Sequence, residues 1–206
     1  RCARCSSSLR THKETQSIIL MIKCIIFDWG GIFTTNDYPR ISNSFGVPIK
    51  IISDLEYKYS AQNDCRGFWR ELRELGVNKT RKQMDRVFNY QLDVGCLKYL
   101  PKFKDYHLVL LSDQVTDRTN YLRKKYKRYL DRFDKVFFSN EIGLIKKNKN
   151  AFEFVLKQIP YKPSECIFID DTLLNIKNAK SVGLNAIQFK SVSQLKKDLK
   201  KFSISI

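Results

Sequence analysis

Several things that mark particular protein classes are missing from this sequence. No apolar stretch approaches the roughly 18 residues that a membrane-spanning helix needs. The region from Ile18 to Phe27 is apolar, but Lys23 interrupts it, and we expect no membrane partner. Histidine is scarce, with two residues, and Cys2 and Cys5 form the one Cys-x-x-Cys pair. A zinc site needs two further ligands, and neither a second such pair nor a histidine pair supplies them. Cys24, Cys65, Cys96 and Cys166 are scattered, two of them inside apolar runs. They read as small core residues in a reducing cytoplasm, where we expect the protein to reside. Acidic residues are in deficit, 21 against 38 Lys+Arg, for a formal net charge of +17. Such a balance attracts anions, nucleic acid and phosphorylated metabolites among them. Yet runs such as Arg123-Lys124-Lys125 and Lys196-Lys197 alternate with apolar residues at helical spacing, as solvated helix faces do. No nucleic-acid-binding motif accompanies them, so no specific nucleic-acid partner is expected. Internal repeats and low-complexity linkers are absent as well.

What remains is a chain of 206 residues, 43% hydrophobic and 29% charged, which suits a soluble globular domain with room for a small insertion. Arg1 to Ser17 is polar and has no apolar period. We expect residues 1–20 to be an upstream extension or a disordered tail, with Met21 as the natural start. The run Ile22-Lys23-Cys24-Ile25-Ile26-Phe27 then reads as a short buried strand. It ends in Asp28, followed by Trp29-Gly30-Gly31. Ligands of open α/β sheets bind outside the carboxyl ends of the strands, and glycines let the backbone approach them closely. Alone, such an aspartate is equally at home as a helix cap or turn residue. Three more polar groups follow in order, however. Leu108-Val109-Leu110-Leu111 ends in Ser112, Cys166-Ile167-Phe168-Ile169 ends in Asp170-Asp171, and Glu141 to Lys146 places a lysine just before an amphipathic helix.

Between Val47 and about Leu100 the pattern is helical, without strand-like alternation. Cys65 to Leu75 repeats apolar residues at three- and four-residue intervals and stops at Gly76, and Thr80 to Leu92 continues in the same way. From His107 onward strands (107–111, 135–138, 166–169, 185–189) alternate with helices (116–130, 150–159, 173–182, 192–201). Gly183 caps the third of these helices. Alternating β and α predicts an α/β fold, a Rossmann-like parallel sheet with helices on both faces. We expect a core domain of residues 21–35 and 101–206, with residues 36–100 as a small helical cap inserted after the first strand.

These residues together resemble the haloacid dehalogenase superfamily. Phe27-Asp28-Trp29-Gly30-Gly31 is similar to its first motif, Leu110-Leu111-Ser112 to its second, Gly143-Leu144-Ile145-Lys146 to its third and Ile169-Asp170-Asp171-Thr172-Leu173-Leu174-Asn175 to its fourth. The helical insertion matches a cap carried by many members. The resemblance implies that Asp28 is a nucleophile that attacks phosphorus and forms an aspartyl-phosphate. It implies Mg²⁺, held by Asp28, the Gly30 carbonyl, and Asp170 or Asp171. Ser112 would hydrogen-bond a phosphoryl oxygen and Lys146 would neutralise charge on Asp28 and the phosphoryl group.

Three positions depart from the family pattern. Ile32 replaces a usual Thr, Lys147 a usual Pro, and Gly30 stands where phosphatases of the family carry a general-acid aspartate. The last matters most, because such an acid commonly contributes about 10²–10⁴-fold. The implied activity is Mg²⁺-dependent hydrolysis of a small phosphomonoester, a sugar- or nucleotide-phosphate-like metabolite. A 2-haloacid dehalogenase-type hydrolase is one alternative; a weakly active family member that binds a phosphorylated ligand or a protein is the other. Arg66, Trp69 and Arg70 are candidates for contacting substrate from the cap, being large and able to bind anions or rings.

Overall fold

The computed structural model describes residues 21–64 and 66–206. The expectations for residues 1–20, for Cys2 and Cys5, and for Cys65 fall outside them. The first elements are β1 (Cys24–Phe27), β2 (Thr34–Asn36), α1 (Tyr38–Phe45), α2 (Ile49–Tyr59), α3 (Gly67–Glu74), α4 (Arg81–Phe88) and β3 (Gln91–Asp93). After a 3-10 segment at Leu97–Phe103 come β4 (His107–Ser112), α5 (Thr116–Lys125), α6 (Lys127–Leu130), β5 (Lys135–Phe138), α7 (Ser139–Ile142) and α8 (Lys149–Lys157). The chain closes with β6 (Cys166–Asp170), α9 (Leu173–Ser181), β7 (Asn185–Gln188) and α10 (Val192–Lys200).

Five strands form a parallel sheet in the order β5-β4-β1-β6-β7. All four residues of β1 are buried, because helices cover both faces and neither face meets water. Side chains alternate between the two layers with the strand period of two. Ile25 and Phe27 join Leu122, Leu195 and Leu199 on one face; Cys24 and Ile26 join Phe152, Val155, Ile176 and Ala179 on the other. A strand with one face in water alternates apolar with polar; this one has no polar residue to spend.

A third apolar cluster, containing Ile41, Ile52, Leu55, Phe68, Trp69, Leu72, Met84 and Phe88, lies in the helical segment between β2 and β3. β2 and β3 pair antiparallel, Thr34 with Asp93 and Asn36 with Gln91, and so draw the two ends of that segment together. The sequence pattern overlooked both strands, each three residues long. Helical periodicity carried one helix on to Leu92, whereas α4 ends at Phe88. Three residues cannot display an alternation, and the pairing comes from tertiary contacts. The expected helix over 116–130 is broken at Tyr126, whose φ of −111° and ψ of 20° are not helical. Thr80 forms a full capping box with Gln83, and Asp37 caps α1 by accepting from the Arg40 N–H at 3.1 Å.

Candidate active site

β1 is the central strand, and register decides what lies beside its end. Phe27 pairs with Leu110 on β4 and with Ile169 on β6, so Asp28 and Asp170 emerge side by side. The Asp28 N–H extends the ladder by donating to the Ile169 carbonyl at 2.9 Å. Lys146 reaches the same point from the loop after α7. Its Nζ lies 2.7 Å from Asp28 Oδ2 and 2.7 Å from Asp170 Oδ2. Lys146 is 1% exposed and Asp170 0%, so these charges interact in a dry setting, where charge-assisted hydrogen bonds are strongest.

The surroundings fix these groups from several sides. Asn175 on α9 donates to both Asp170 oxygens, at 3.2 and 3.0 Å, and the Thr172 N–H donates to Oδ1 at 2.7 Å. One turn further along, Asn178 donates to the carbonyls of Lys146 and Lys147 at 3.1 and 2.6 Å. α9 therefore holds both the acid and the lysine loop. Asp113, directly after β4, accepts from the Lys146 N–H at 3.2 Å. Gly31 has φ of 69°, and a Cβ there would sit 2.1 Å from Asp171 Oδ2, so only glycine allows this approach. Gly30 is under no such constraint: a Cβ would meet nothing closer than Asp28 Oδ2 at 3.9 Å.

Burial pushes the Asp28 carboxyl up to about 7; Asp170 and Asp171 act in the same direction and Lys146 opposes them. Burial likewise raises Asp113 and Asp171. Burial works to lower Lys146, but Asp170, Asp28 and Asp113 together outweigh it and hold the ammonium well above its ordinary value. Four carboxylates thus surround one ammonium, an excess of negative charge that a divalent cation would relieve. One oxygen each of Asp28, Asp170 and Asp171 lies within 4.8 Å of the others. An all-oxygen donor set of this kind fits Mg²⁺. Gly30 lines the same cleft.

The structure brings Asp28, Lys146, Asp170 and Asp171 together, with Gly30 beside them. Ser112 is in place at the end of β4 but fully buried, and its Oγ accepts from Gln114 Nε2 at 3.0 Å. The surface of the cleft at that point is made by Asp113 and Gln114. Arg66, Trp69 and Arg70 do not line the cleft. Trp69 is buried, donating from Nε1 to Asp117 at 2.6 Å, and the two arginines are exposed.

The cleft has a volume of about 340 Å³, and its other wall comes from β2, β3 and α2. A hydrogen-bonded chain runs along that wall. Trp29 Nε1 donates to Thr34 Oγ1 at 2.7 Å, Thr34 Oγ1 to Gln91 Oε1 at 2.7 Å, and Gln91 Nε2 to Asn36 Oδ1 at 2.6 Å. Asn36 Nδ2 donates onward to Glu56 Oε1 at 3.0 Å, and the Tyr38 hydroxyl to Glu56 Oε2 at 2.6 Å. Behind it lies Arg118, 2% exposed, whose guanidinium donates to Asn89, Asn36 and the Phe88 carbonyl and lies 4.0 Å from Glu56. Burial raises the Glu56 carboxyl, against the pull of Arg118, Tyr38 and Asn36. Sequence reasoning missed this wall. Glu56 is one acid in an ordinary amphipathic helix. Asn175 and Asn178 had a signal, two amides one turn apart on the helix that follows Asp170-Asp171.

No family model matches the chain. A curated D-ribitol-5-phosphate phosphatase from Bacteroides thetaiotaomicron is 27% identical over 193 residues, 82% of this chain and 92% of the relative. The crystal structure of a HAD family enzyme from the same bacterium, in complex with magnesium and inorganic phosphate, superposes with a TM-score of 0.70 at 24% identity, covering 83% of this chain and 96% of that one. A HAD-like family hydrolase from Porphyromonas gingivalis superposes with a TM-score of 0.71 at 25% identity, covering 87% and 98%. This sheet order, these strand-end residues and these likenesses are those of haloacid dehalogenase superfamily hydrolases of the phosphatase type. Among the described residues, no helix is long and apolar enough to cross a membrane.

Proposed function

We propose that the protein is a Mg²⁺-dependent phosphomonoesterase that acts on a small phosphorylated polyol or sugar through an aspartyl-phosphate on Asp28. The observation that carries this reading is the meeting of Asp28, Asp170 and Lys146 at the ends of two neighbouring parallel strands, with Asp171 completing an all-oxygen cluster. Asp28, Asp170, Asp171 and the Gly30 carbonyl would hold the ion. Bound there, Mg²⁺ supplies positive charge that lets one anion approach another.

The chain's own residues do the rest. The Asp28 carboxylate attacks phosphorus, the bond from phosphorus to the ester oxygen breaks, and the leaving alkoxide takes up a proton. Water then cleaves the acyl phosphate, releasing inorganic phosphate and restoring Asp28. Lys146 keeps Asp28 charged and in place and offsets charge that grows on the phosphoryl oxygens. Asp170 positions Lys146. Ser112 acts through Gln114, whose amide it orients at the cleft surface. Residues 36–100 act as the cap over this centre.

The wall opposite the acids supports a polyol over a nucleotide. Hydroxyl and amide side chains dominate it: Thr34, Thr35, Asn36, Ser53, Gln91. A nucleobase needs a free flat face. Of the two tyrosines present, Tyr38 is tied to Glu56, and Lys147 Nζ sits 4.6 Å above the Tyr57 ring. The paired acids Asp170 and Asp171 favour a metal site over metal-free dehalogenation. The buried free thiols Cys24, Cys96 and Cys166 suit a cytoplasmic enzyme. A panel of phosphate esters, assayed with and without Mg²⁺, tests the reading. Hydrolysis of polyol phosphates that needs the metal is the expected result; turnover of 2-haloacids, or of nothing, overturns it.

A further inference from the structure

The two walls of the cleft carry their acids for different reasons. Those on the sheet side have Lys146 among them and a place for a cation. Glu56 stands apart, on α2, and has neither. The charge that compensates it, Arg118, is 2% exposed and is not among the residues that line the cleft, whereas Glu56 is. Its geometry is that of an acceptor. Oε1 takes the Asn36 amide at 3.0 Å and Oε2 the Tyr38 hydroxyl at 2.6 Å. A carboxylate has about four lone-pair positions, so capacity is left over for a ligand hydroxyl. Among the described residues that line the cleft, Lys146 is the one cation, and it is held between Asp28 and Asp170.

An anionic group on the leaving portion of a substrate would therefore meet a fixed negative charge and no unpaired cation among the residues that line the cleft. A protein with a net charge of +17 draws anions toward its surface, so long-range attraction does not sort them. Sorting falls to the cleft. We infer that Glu56 is the specificity-determining residue of this site, accepting a hydroxyl of the leaving group and excluding phosphate esters that carry a second acid group, such as phosphorylated sugar acids and bisphosphates. Like charges brought together without a partner commonly provide such exclusion. The inference rests on the phosphatase reading above.

The test compares kcat/KM, with Mg²⁺, for a five-carbon sugar-alcohol phosphate and the sugar-acid phosphate of the same length. An aryl phosphate serves as a common reference. We expect the unaltered protein to favour the alcohol by at least about tenfold, and Glu56→Gln to narrow that ratio mainly through KM for the acid. Gln keeps the shape and one acceptor oxygen, for Tyr38 or Asn36, but no charge. Ser53→Lys gives a second arm that leaves Glu56 intact. Ser53 is exposed, lines the same cleft and sits one turn before Glu56, so a cation there should raise kcat/KM for the acid alone. If the aryl ester is hydrolysed but the unaltered protein treats alcohol and acid alike, the inference is overturned and the phosphatase reading stands. The same holds if neither variant moves the ratio. If no ester is hydrolysed with Mg²⁺, both fall together.

Discussion

The sheet side of the cleft and the side made by β2, β3 and α2 solve opposite problems. The first gathers like charges. Asp28, Asp113, Asp170 and Asp171 converge on Lys146, and the arrangement is stable only because parallel strands, α9 and the lysine hold it in place. The second disperses polarity. Its groups are mostly neutral, the donors Trp29, Thr34, Asn36, Tyr38 and Gln91 each have an acceptor, and the single carboxylate is backed by a buried guanidinium. Chemistry on phosphate needs the first kind of wall, because charge must be set before the substrate arrives. Recognition of a hydroxylated leaving group needs the second, because buried polar groups discriminate by what they leave unpaired.

The largest effect expected is on the charged side. Asp28→Asn keeps the shape and the hydrogen bond from the Trp29 N–H, yet removes the attacking charge. Hydrolysis should fall by about 10³-fold or more, with the fold retained. Activity that stays within tenfold of the unaltered protein, after deamidation has been excluded by mass, would remove Asp28 from the mechanism.

On the other wall the largest effect is on stability. Arg118→Ala removes donors to Asn89, Asn36 and the Phe88 carbonyl and leaves the half-buried Glu56 without its charge partner. Breaking one side of a buried pair costs about 3–5 kcal/mol. Urea unfolding should show a loss of about 3 kcal/mol or more. Arg118→Lys should not restore it, because one ammonium cannot span three acceptors as a planar fork does. A loss below about 1 kcal/mol would mean that the wall is not built on this arginine.

The same contrast governs what the sequence made legible. The sheet side follows from period and register. Apolar runs marked β1, β4 and β6, each ended in a polar residue, and parallel pairing then forces Asp28 and Asp170 together. The other wall joins residues 29, 34, 36, 38, 56, 91 and 118 through side-chain hydrogen bonds, and none of those positions sits in a repeating pattern. Strands of three residues have no period to read. Asp113 was hidden differently: it follows Ser112, and attention to the serine as the ligand passed over the acid that faces the cleft. Large residues on α3 invited a role for Trp69, whose indole instead packs against Phe68 and Phe88.

Gly30 offers a sharper measurement of what the charged wall lacks. No carboxylate stands there to protonate an alkoxide, and a Cβ would fit. Aryl phosphates, whose leaving groups are stable as anions, should be hydrolysed well, and simple alkyl phosphates should lag by about 10²-fold. Gly30→Asp should narrow that gap by about tenfold. Equal rates in the unaltered protein, with chemistry limiting, would show that another cleft residue delivers the proton.

The smallest effect concerns Asp171, and its value lies in its sign. Asp171 is exposed, and its neighbours Asp28 and Asp170 are also acidic. Without a cation these charges repel, so Asp171→Asn should leave the metal-free protein as stable as before or slightly more so. With Mg²⁺ the order should reverse. An ion that binds only the folded state stabilises it by about 1.4 kcal/mol at ten times its Kd. For a chain of this size that raises the melting temperature by about 3–6 °C. The variant, short of one ligand, should gain less at the same concentration. Melting curves of both proteins across a magnesium titration decide the matter. If the unaltered protein does not respond to Mg²⁺, the acidic cluster is not a magnesium site; if Asp171→Asn melts lower in its absence and gains equally in its presence, Asp171 is a structural residue and the ion is held without it.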